Sequence, residues 1–221
     1  MHLVIISGAS RAKQRSNTAK IIESFRKGFA EKGNTTEEWY LADREQWDGA
    51  RKAFETNSVI LFALPLYVEN IPGIMLEFLE TLAPKQMPGT KIAFLLQGGF
   101  PEAAQSRCCV RFLEMLPAQL GCEYAGTLTK GDMFGLRMMG EKLGTKLSQP
   151  FEEMGRVFAQ KQCFDKETVI SFAGPEHLPK GQIIMFRLIG QHIQRKFMNK
   201  IARSMGCKGK LDDRPIDITG V

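Results

Sequence analysis

Ser10, Ser16, Asn17 and Thr18 place four hydrogen-bonding side chains in one short stretch with Arg11, a set of groups suited to holding a phosphate. The residues around them form an order that builds an anion site. Leu3–Ile6 are four apolar residues of the kind found in a strand covered on both faces. Ser16 is a credible helix N-cap, and the helix after it runs apolar at Ile21, Ile22, Phe25 and Phe29. The first backbone N–H groups of such a helix have no intrahelical partner and lie at the positive end of its dipole, which favours an anion there. An ordinary strand–turn–helix capped by Ser16 would use the same residues. The loop lacks the Gly-Lys-Ser/Thr ending of a triphosphate-binding loop. Gly8 is its one glycine, so the dinucleotide fingerprint G-x-G-x-x-G is absent too. Hydroxyls rather than glycines suit a terminal phosphate monoester, and so a mononucleotide.

Two more segments carry unusual residues at expected strand ends. In Leu64-Pro-Leu-Tyr-Val-Glu-Asn-Ile-Pro-Gly73, Pro65 ends a strand, Tyr67 offers a ring face, and Ile71-Pro72-Gly73 turns the chain into a helix. A loop this apolar is costly to leave in water, and a flat ligand would cover it; a proline-terminated strand with a core tyrosine is the plainer alternative. In Leu96-Gln-Gly-Gly-Phe-Pro-Glu102, Gly98 and Gly99 let backbone pass close to a ligand and offer N–H groups to a developing negative charge. Phe100 can shield an edge, and Glu102 is placed to begin a helix. A tight turn that needs glycine accounts equally well for the pair.

Strands at Leu3–Ser7, Thr36–Leu41, Ser58–Leu64, Lys91–Gln97 and Glu123–Thr129 alternate with helices at Asn17–Lys32, Arg44–Thr56, Ile74–Leu82 and Glu102–Leu120. This alternation predicts an α/β domain with a five-stranded parallel sheet in the flavodoxin-like order 2-1-3-4-5, helices on both faces, and ligands beyond the carboxyl ends of the strands. All three loops then lie on one sheet edge. Gly131–Leu147, with Met133, Phe134, Met138 and Met139, reads as a flap or a loop with a helical turn, and a helix is expected over Phe151–Gln162. The expected division is residues 1–165 for the α/β domain and 166–221 for a C-terminal helical extension.

The three loops resemble those of the flavodoxin-like NAD(P)H-dependent FMN reductase superfamily, in particular bacterial oxidoreductases with a C-terminal extension. The resemblance rests on Ser7-Gly-Ala-Ser-Arg11 with Ser16-Asn-Thr18, on Pro65-Leu-Tyr67 with Ile71-Pro-Gly73, and on Gly98-Gly-Phe-Pro-Glu102, and spans roughly residues 1 to 130. The ending Ile201-Ala-Arg-Ser-Met-Gly206 with Leu211–Pro215 also resembles such proteins. It implies that Ser10, Arg11, Ser16, Asn17 and Thr18 hold the FMN phosphate. Pro65, Leu66, Tyr67, Val68 and Asn70 would line the ring, with Gln97, Gly98, Gly99 and Phe100 at its polar edge. The implied enzyme takes a hydride from NADH or NADPH and passes electrons to a small-molecule acceptor (a quinone, a free flavin, an azo or nitro compound) or to a protein. The resemblance implies no catalytic side chain, and it suggests a homodimer. A flavodoxin-like electron carrier is the alternative, although flavodoxins as a group are acidic and this chain has a net charge of +6. A flavin-free phosphate-binding module or hydrolase on the same fold is a third reading.

At 221 residues the chain can bury a sizeable core without disulfides. Its five cysteines, Cys108, Cys109, Cys122, Cys163 and Cys207, are odd in number and form no C-x-x-C pair, so neither a disulfide framework nor a metal or cluster site is expected. No stretch approaches the roughly 20 apolar residues of an integral membrane span, and no signal-peptide layout is evident, so a cytoplasmic protein is expected. No basic motif interleaved with aromatics points to nucleic acid. The helix expected over Gln182–Met205 is apolar at Phe186, Ile189, Ile193, Phe197, Ile201 and Met205. Its other face is basic, and no acidic residue lies between Gly181 and Leu211. Packing of that stripe against the domain or a second subunit is expected, with a membrane-surface helix as the rival.

Overall fold

The computed structural model describes residues 1–138 and 140–209, and not the side chains of residues 186, 189, 191, 192 and 194. Met139, the side chains of Phe186 and Ile189, and the Leu211–Pro215 tail therefore lie outside the described residues.

Five parallel strands, β1 (His2–Ser7), β2 (Thr35–Tyr40), β3 (Val59–Pro65), β4 (Lys91–Gln97) and β5 (Glu123–Lys130), form one sheet in the order β2-β1-β3-β4-β5. The three inner strands are the apolar runs Leu3–Ile6, Val59–Leu64 and Ile92–Leu96, all buried, because helices cover both faces. The polar Thr-Thr-Glu-Glu start of β2 suits its edge position, where charge discourages further pairing. Period-2 alternation sends Leu3, Ile5, Leu61 and Leu95 to one core and Val4, Ile6, Phe62 and Phe94 to the other.

The first core lies under α1 (Asn17–Ala30), α6 (Pro150–Lys161) and α7 (Lys166–Ala173), with Phe25, Phe29, Phe151, Phe158 and Phe164 filling it. The second lies under α2 (Trp47–Thr56), α3 (Gly73–Glu80) and α4 (Arg107–Gln119), where Trp47 packs edge-on to Phe78 at 5.4 Å. α1 and α6 approach through two glycines. A Cβ at Gly28 would lie 1.8 Å from the carbonyl oxygen of Glu152, and one at Gly155 would lie 2.0 Å from that of Phe25.

The chain forms two compact units, Met1–His177 and Leu178–Val221. The first runs past the boundary at residue 165 because α7 and the segment after it are tied into the sheet. Lys130 Nζ donates to the carbonyl of Phe172 at 2.7 Å, Ala103 N–H to that of Pro175 at 3.0 Å, and Arg107 pairs with Glu176. Within the flap region a short helix, α5 (Glu141–Ser148), follows a turn. In the second unit α8 (Lys180–Met185), a π-helical turn at Phe186–Gly190 and α9 (Gln191–Ser204) follow one another without a break, so the helix expected over Gln182–Met205 is one helical run that widens in its first half. Cys108 and Cys207 are exposed, one in each unit, while Cys109 is buried and Cys122 and Cys163 are partly so.

Candidate functional site

The chain leaves the sheet after Gly8, whose N–H still bonds to the carbonyl of Ala63 at 3.0 Å. Ser10 and Arg11 then face solvent, a single tight turn spans Lys13–Arg15, and Ser16 caps α1 by accepting the Ala19 N–H on its hydroxyl at 3.2 Å. The Ser16 hydroxyl keeps its own proton to donate. Thr18 is buried beside it, and its side chain makes no hydrogen bond among the described residues. Ser7, at the end of β1, holds a buried hydroxyl oxygen without a partner among the described residues. Hydroxyls thus gather where the strand feeds the N-terminus of the 14-residue α1. Asn17 differs from expectation: its Nδ2 donates to the carbonyls of Met133 at 2.9 Å and Phe134 at 3.2 Å. Its amide donors hold a loop in place and are not free for a phosphate.

Pro65 is the last residue of β3, and the next N–H, from Leu66, donates to the Gln97 carbonyl at 2.7 Å, so the second and third loops start side by side. Tyr67 and Asn70 then exchange backbone hydrogen bonds of 2.8 and 3.1 Å around a two-residue turn. Both central residues have positive φ, +48° at Val68 and +66° at Glu69, as that tight hairpin requires. A β-branched residue rarely adopts such a φ, at a typical cost of about 1–3 kcal/mol. The turn holds Val68 out at 98% exposure, with Tyr67 at 44%. The Tyr67 hydroxyl lies 3.4 Å from Ser10 Oγ, which joins this loop to the first. Asn70 turns its side-chain oxygen back onto the Ile71 N–H at 2.8 Å.

Gln97 is buried at the end of β4. Gly98 is bound on both sides: its N–H donates to the Lys130 carbonyl at 2.9 Å, and its carbonyl accepts from Met133 N–H at 2.9 Å. The expectation that both glycine N–H groups face a ligand is corrected accordingly; among the described residues only the Gly99 N–H of the pair is without a partner. Neither glycine has a positive φ. A Cβ would meet Leu66 at 3.6 Å from Gly98 and Phe134 at 3.5 Å from Gly99, both ordinary contacts. The fold therefore does not itself demand glycine here. Phe100 stands 70% exposed next to them. Glu102 stands at the N-cap of a four-residue 3-10 helix, Ala103–Ser106, that runs directly into α4, so the helical segment begins where expected but its first turn is tighter.

A fourth loop, Gly131–Met138, is tied to the first and third through the Asn17 bonds, the Gly98–Met133 bond and a hydrogen bond from the Arg137 guanidinium to the Gln14 carbonyl. It buries Met133 and exposes Phe134 and Met138. Its only sequence signal is the glycine- and methionine-rich composition. A polar cleft of about 440 Å³, lined by Lys13, Lys20, Arg26, Glu38, Tyr40 and Arg137 among others, lies on the other flank of α1. There Glu38 takes the Tyr40 hydroxyl at 2.7 Å, Arg26 at 3.0 Å and Lys13 at 3.3 Å. Burial, and then Glu38, pushes the Tyr40 hydroxyl far above the ordinary tyrosine range, so it stays a protonated donor in a satisfied network. Among the described residues no group of three or more His, Cys, Asp or Glu side chains is placed to hold a metal.

No protein-family model and no curated protein matches the chain. Among solved structures, it is similar to an FMN-dependent NADH-azoreductase from Bacillus anthracis in complex with FMN, with a TM-score of 0.55 and 13% identity over 72% of this chain and 100% of that one. It is also similar to an NAD(P)H:quinone oxidoreductase from Methanothermobacter marburgensis, with a TM-score of 0.53 and 14% identity over 73% of this chain and 96% of that one. With the strand order β2-β1-β3-β4-β5 and helices on both faces of the sheet, these likenesses establish that the chain has the flavodoxin-like fold.

Proposed function

We propose that this chain is an FMN-dependent NAD(P)H oxidoreductase that passes electrons from NADH or NADPH to a small planar acceptor such as a quinone, a free flavin, or an azo or nitro compound. The observation that carries the reading is the clustering of exposed Tyr67, Val68 and Phe100 on loops that leave β3 and β4 beside the hydroxyl-lined N-terminus of α1. Exposed apolar and aromatic side chains next to an anion site suit a ring system joined to a terminal phosphate. The two similar enzymes, one solved with FMN, support the same assignment.

The residues fit that cofactor. Ser10, Ser16 and Thr18, with Arg11, would hold the phosphate; Leu66, Tyr67, Val68 and Phe100 would flank the ring and exclude water. Bound FMN supplies two-electron chemistry, accepting a hydride and passing electrons on. The Gly99 N–H, without a partner among the described residues, would be available to donate to the ring's polar edge, and no side chain would be needed as acid or base. Asn17 and Gly98 act indirectly, by fixing the fourth loop against the first and third. The resemblance also suggests a homodimer, which light scattering checks.

Reconstituted with FMN, the protein is expected to turn yellow, and anaerobic mixing with NADPH or NADH is expected to bleach it rapidly. Bound flavin that neither nucleotide bleaches would make the chain an electron carrier. A protein that takes up no FMN would refute the flavoprotein reading altogether. Gly99→Val separates a cofactor contact from a plain turn. Because a side chain has room at Gly99, the variant should keep its melting temperature while binding FMN about tenfold more weakly or worse. Lost stability with unchanged affinity in a fluorescence titration would return this loop to an ordinary turn.

A further inference from the structure

The charge of this protein is not spread over it. Met1–His177 contains 21 Lys and Arg and 21 Asp and Glu, so the α/β unit has no net charge, and the whole net charge of +6 belongs to Leu178–Val221. Between Leu178 and Gly209 there are seven cations, Lys180, Arg187, Arg195, Lys196, Lys200, Arg203 and Lys208, and no carboxylate side chain. The same stretch displays large apolar side chains. Leu188 is 80% exposed and Ile193 62%, and Ile183, Ile184, Met185 and Met205 are exposed as well.

In α9 the two kinds of residue are sorted by helical period. Ile193, Phe197, Ile201 and Met205 recur every four residues along one side, with Met198 at its border. Arg195 and Arg203 lie on the opposite arc, and Lys196 and Lys200 flank the stripe on the Ile193 side. Ile201 is buried, whereas Ile193, Phe197, Met198 and Met205 are exposed. No helix among the described residues is long and apolar enough to cross a membrane.

We propose that α8 and α9 form a docking surface for anionic lipid, lying in the plane of a bilayer with Leu188, Ile193 and Phe197 in the headgroup–acyl boundary and the cations among the headgroups. Charge selects the occupant. A segment with seven cations and no carboxylate side chain of its own over residues 178–209 favours an anionic partner, and the α/β unit, with no net charge, does not oppose it. Exposed aliphatic side chains select lipid over nucleic acid, whose phosphates would leave them in water. The surface would hold the enzyme where lipid-soluble acceptors such as quinones partition. That last point alone rests on the reductase reading; vesicle binding does not.

The test uses the full chain in sedimentation with phosphatidylcholine vesicles, alone or mixed with one-third phosphatidylglycerol. Binding is expected only to the anionic vesicles. It should be lost in about 1 M salt, where screening acts over about 3 Å. Replacing Lys196, Lys200 and Arg203 together with Gln should weaken binding about a hundredfold, and Ile193→Ser should weaken it too, with unchanged circular dichroism in both. Three results would overturn the proposal. One is no sedimentation with anionic vesicles. Another is binding to duplex DNA that matches or exceeds binding to lipid and survives Ile193→Ser, which would assign the segment to nucleic acid. The third is an oligomer that Ile193→Ser dissociates in a protein that ignores vesicles, which would assign the face to a second copy of the chain.

Discussion

Ser16→Asp is expected to abolish FMN binding while leaving the fold intact. Aspartate caps a helix as well as serine does, and a carboxylate at the first turn is favoured by the helix dipole, so the bond to Ala19 N–H and the start of α1 should survive. The same carboxylate would face the phosphate. Two like charges about 4 Å apart repel by about 4 kcal/mol at an effective dielectric constant of about 20, roughly a thousandfold in affinity. Ser16→Ala gives the complementary control. It removes the cap at a cost of about 1 kcal/mol of stability but introduces no charge, so FMN affinity should fall far less. Fluorescence titration and thermal unfolding of both variants read the two effects separately. An aspartate variant that binds FMN as tightly as its parent would move the phosphate away from α1.

Gly155→Ala carries the largest expected loss of stability. In a helix interior, alanine ordinarily stabilises relative to glycine by about 0.5–1 kcal/mol, so the predicted sign is opposite to the usual one. The new methyl group would lie 2.0 Å from the Phe25 carbonyl oxygen and 2.8 Å from the Phe29 nitrogen. Backbone atoms cannot rotate away, so α1 and α6 must separate and loosen the packing of Phe25, Phe29 and Phe158 between them. We expect a loss of about 3 kcal/mol, seen as a fall of about 6–12 °C in melting temperature. An unchanged or higher melting temperature would show that the two helices do not meet at this glycine.

The sheet was legible because its inner strands are uninterrupted apolar runs: Lys91–Gln97 matches β4 residue for residue, and the others agree within one residue at each end. The start of α4 was less so. Glu102 does stand at the helical start, but the first turn is a 3-10 helix, and its Ala103 and Ala104 N–H groups bond to the carbonyls of Pro175 and Glu176. Nothing local announces partners so distant in the chain. α7 carries a local signal: Asp165 caps it by accepting the Thr168 N–H, an Asp-x-x-Thr pattern at the helix start. Within the site, topology brought the three expected loops together at one sheet edge. The engagement of Asn17 and of the Gly98 N–H was not legible, because Met133, Phe134 and Lys130 arrive from beyond β4 only once the chain has folded.

The unequal exposure of the five thiols makes the protein its own labelling scaffold. Burial pushes the Cys109 thiol up to about 11 and raises that of Cys122, which keeps both in the less reactive thiol form, and Cys109 is also shielded from reagent. Cys108, on α4, and Cys207, just beyond α9, are the accessible pair, and they fall on different units. With the half-buried Cys163 replaced by Ser, a brief maleimide reaction would therefore favour one dye on each. Energy transfer between the dyes, followed as vesicles are titrated in, would turn the arrival of the C-terminal segment at a surface into an optical signal.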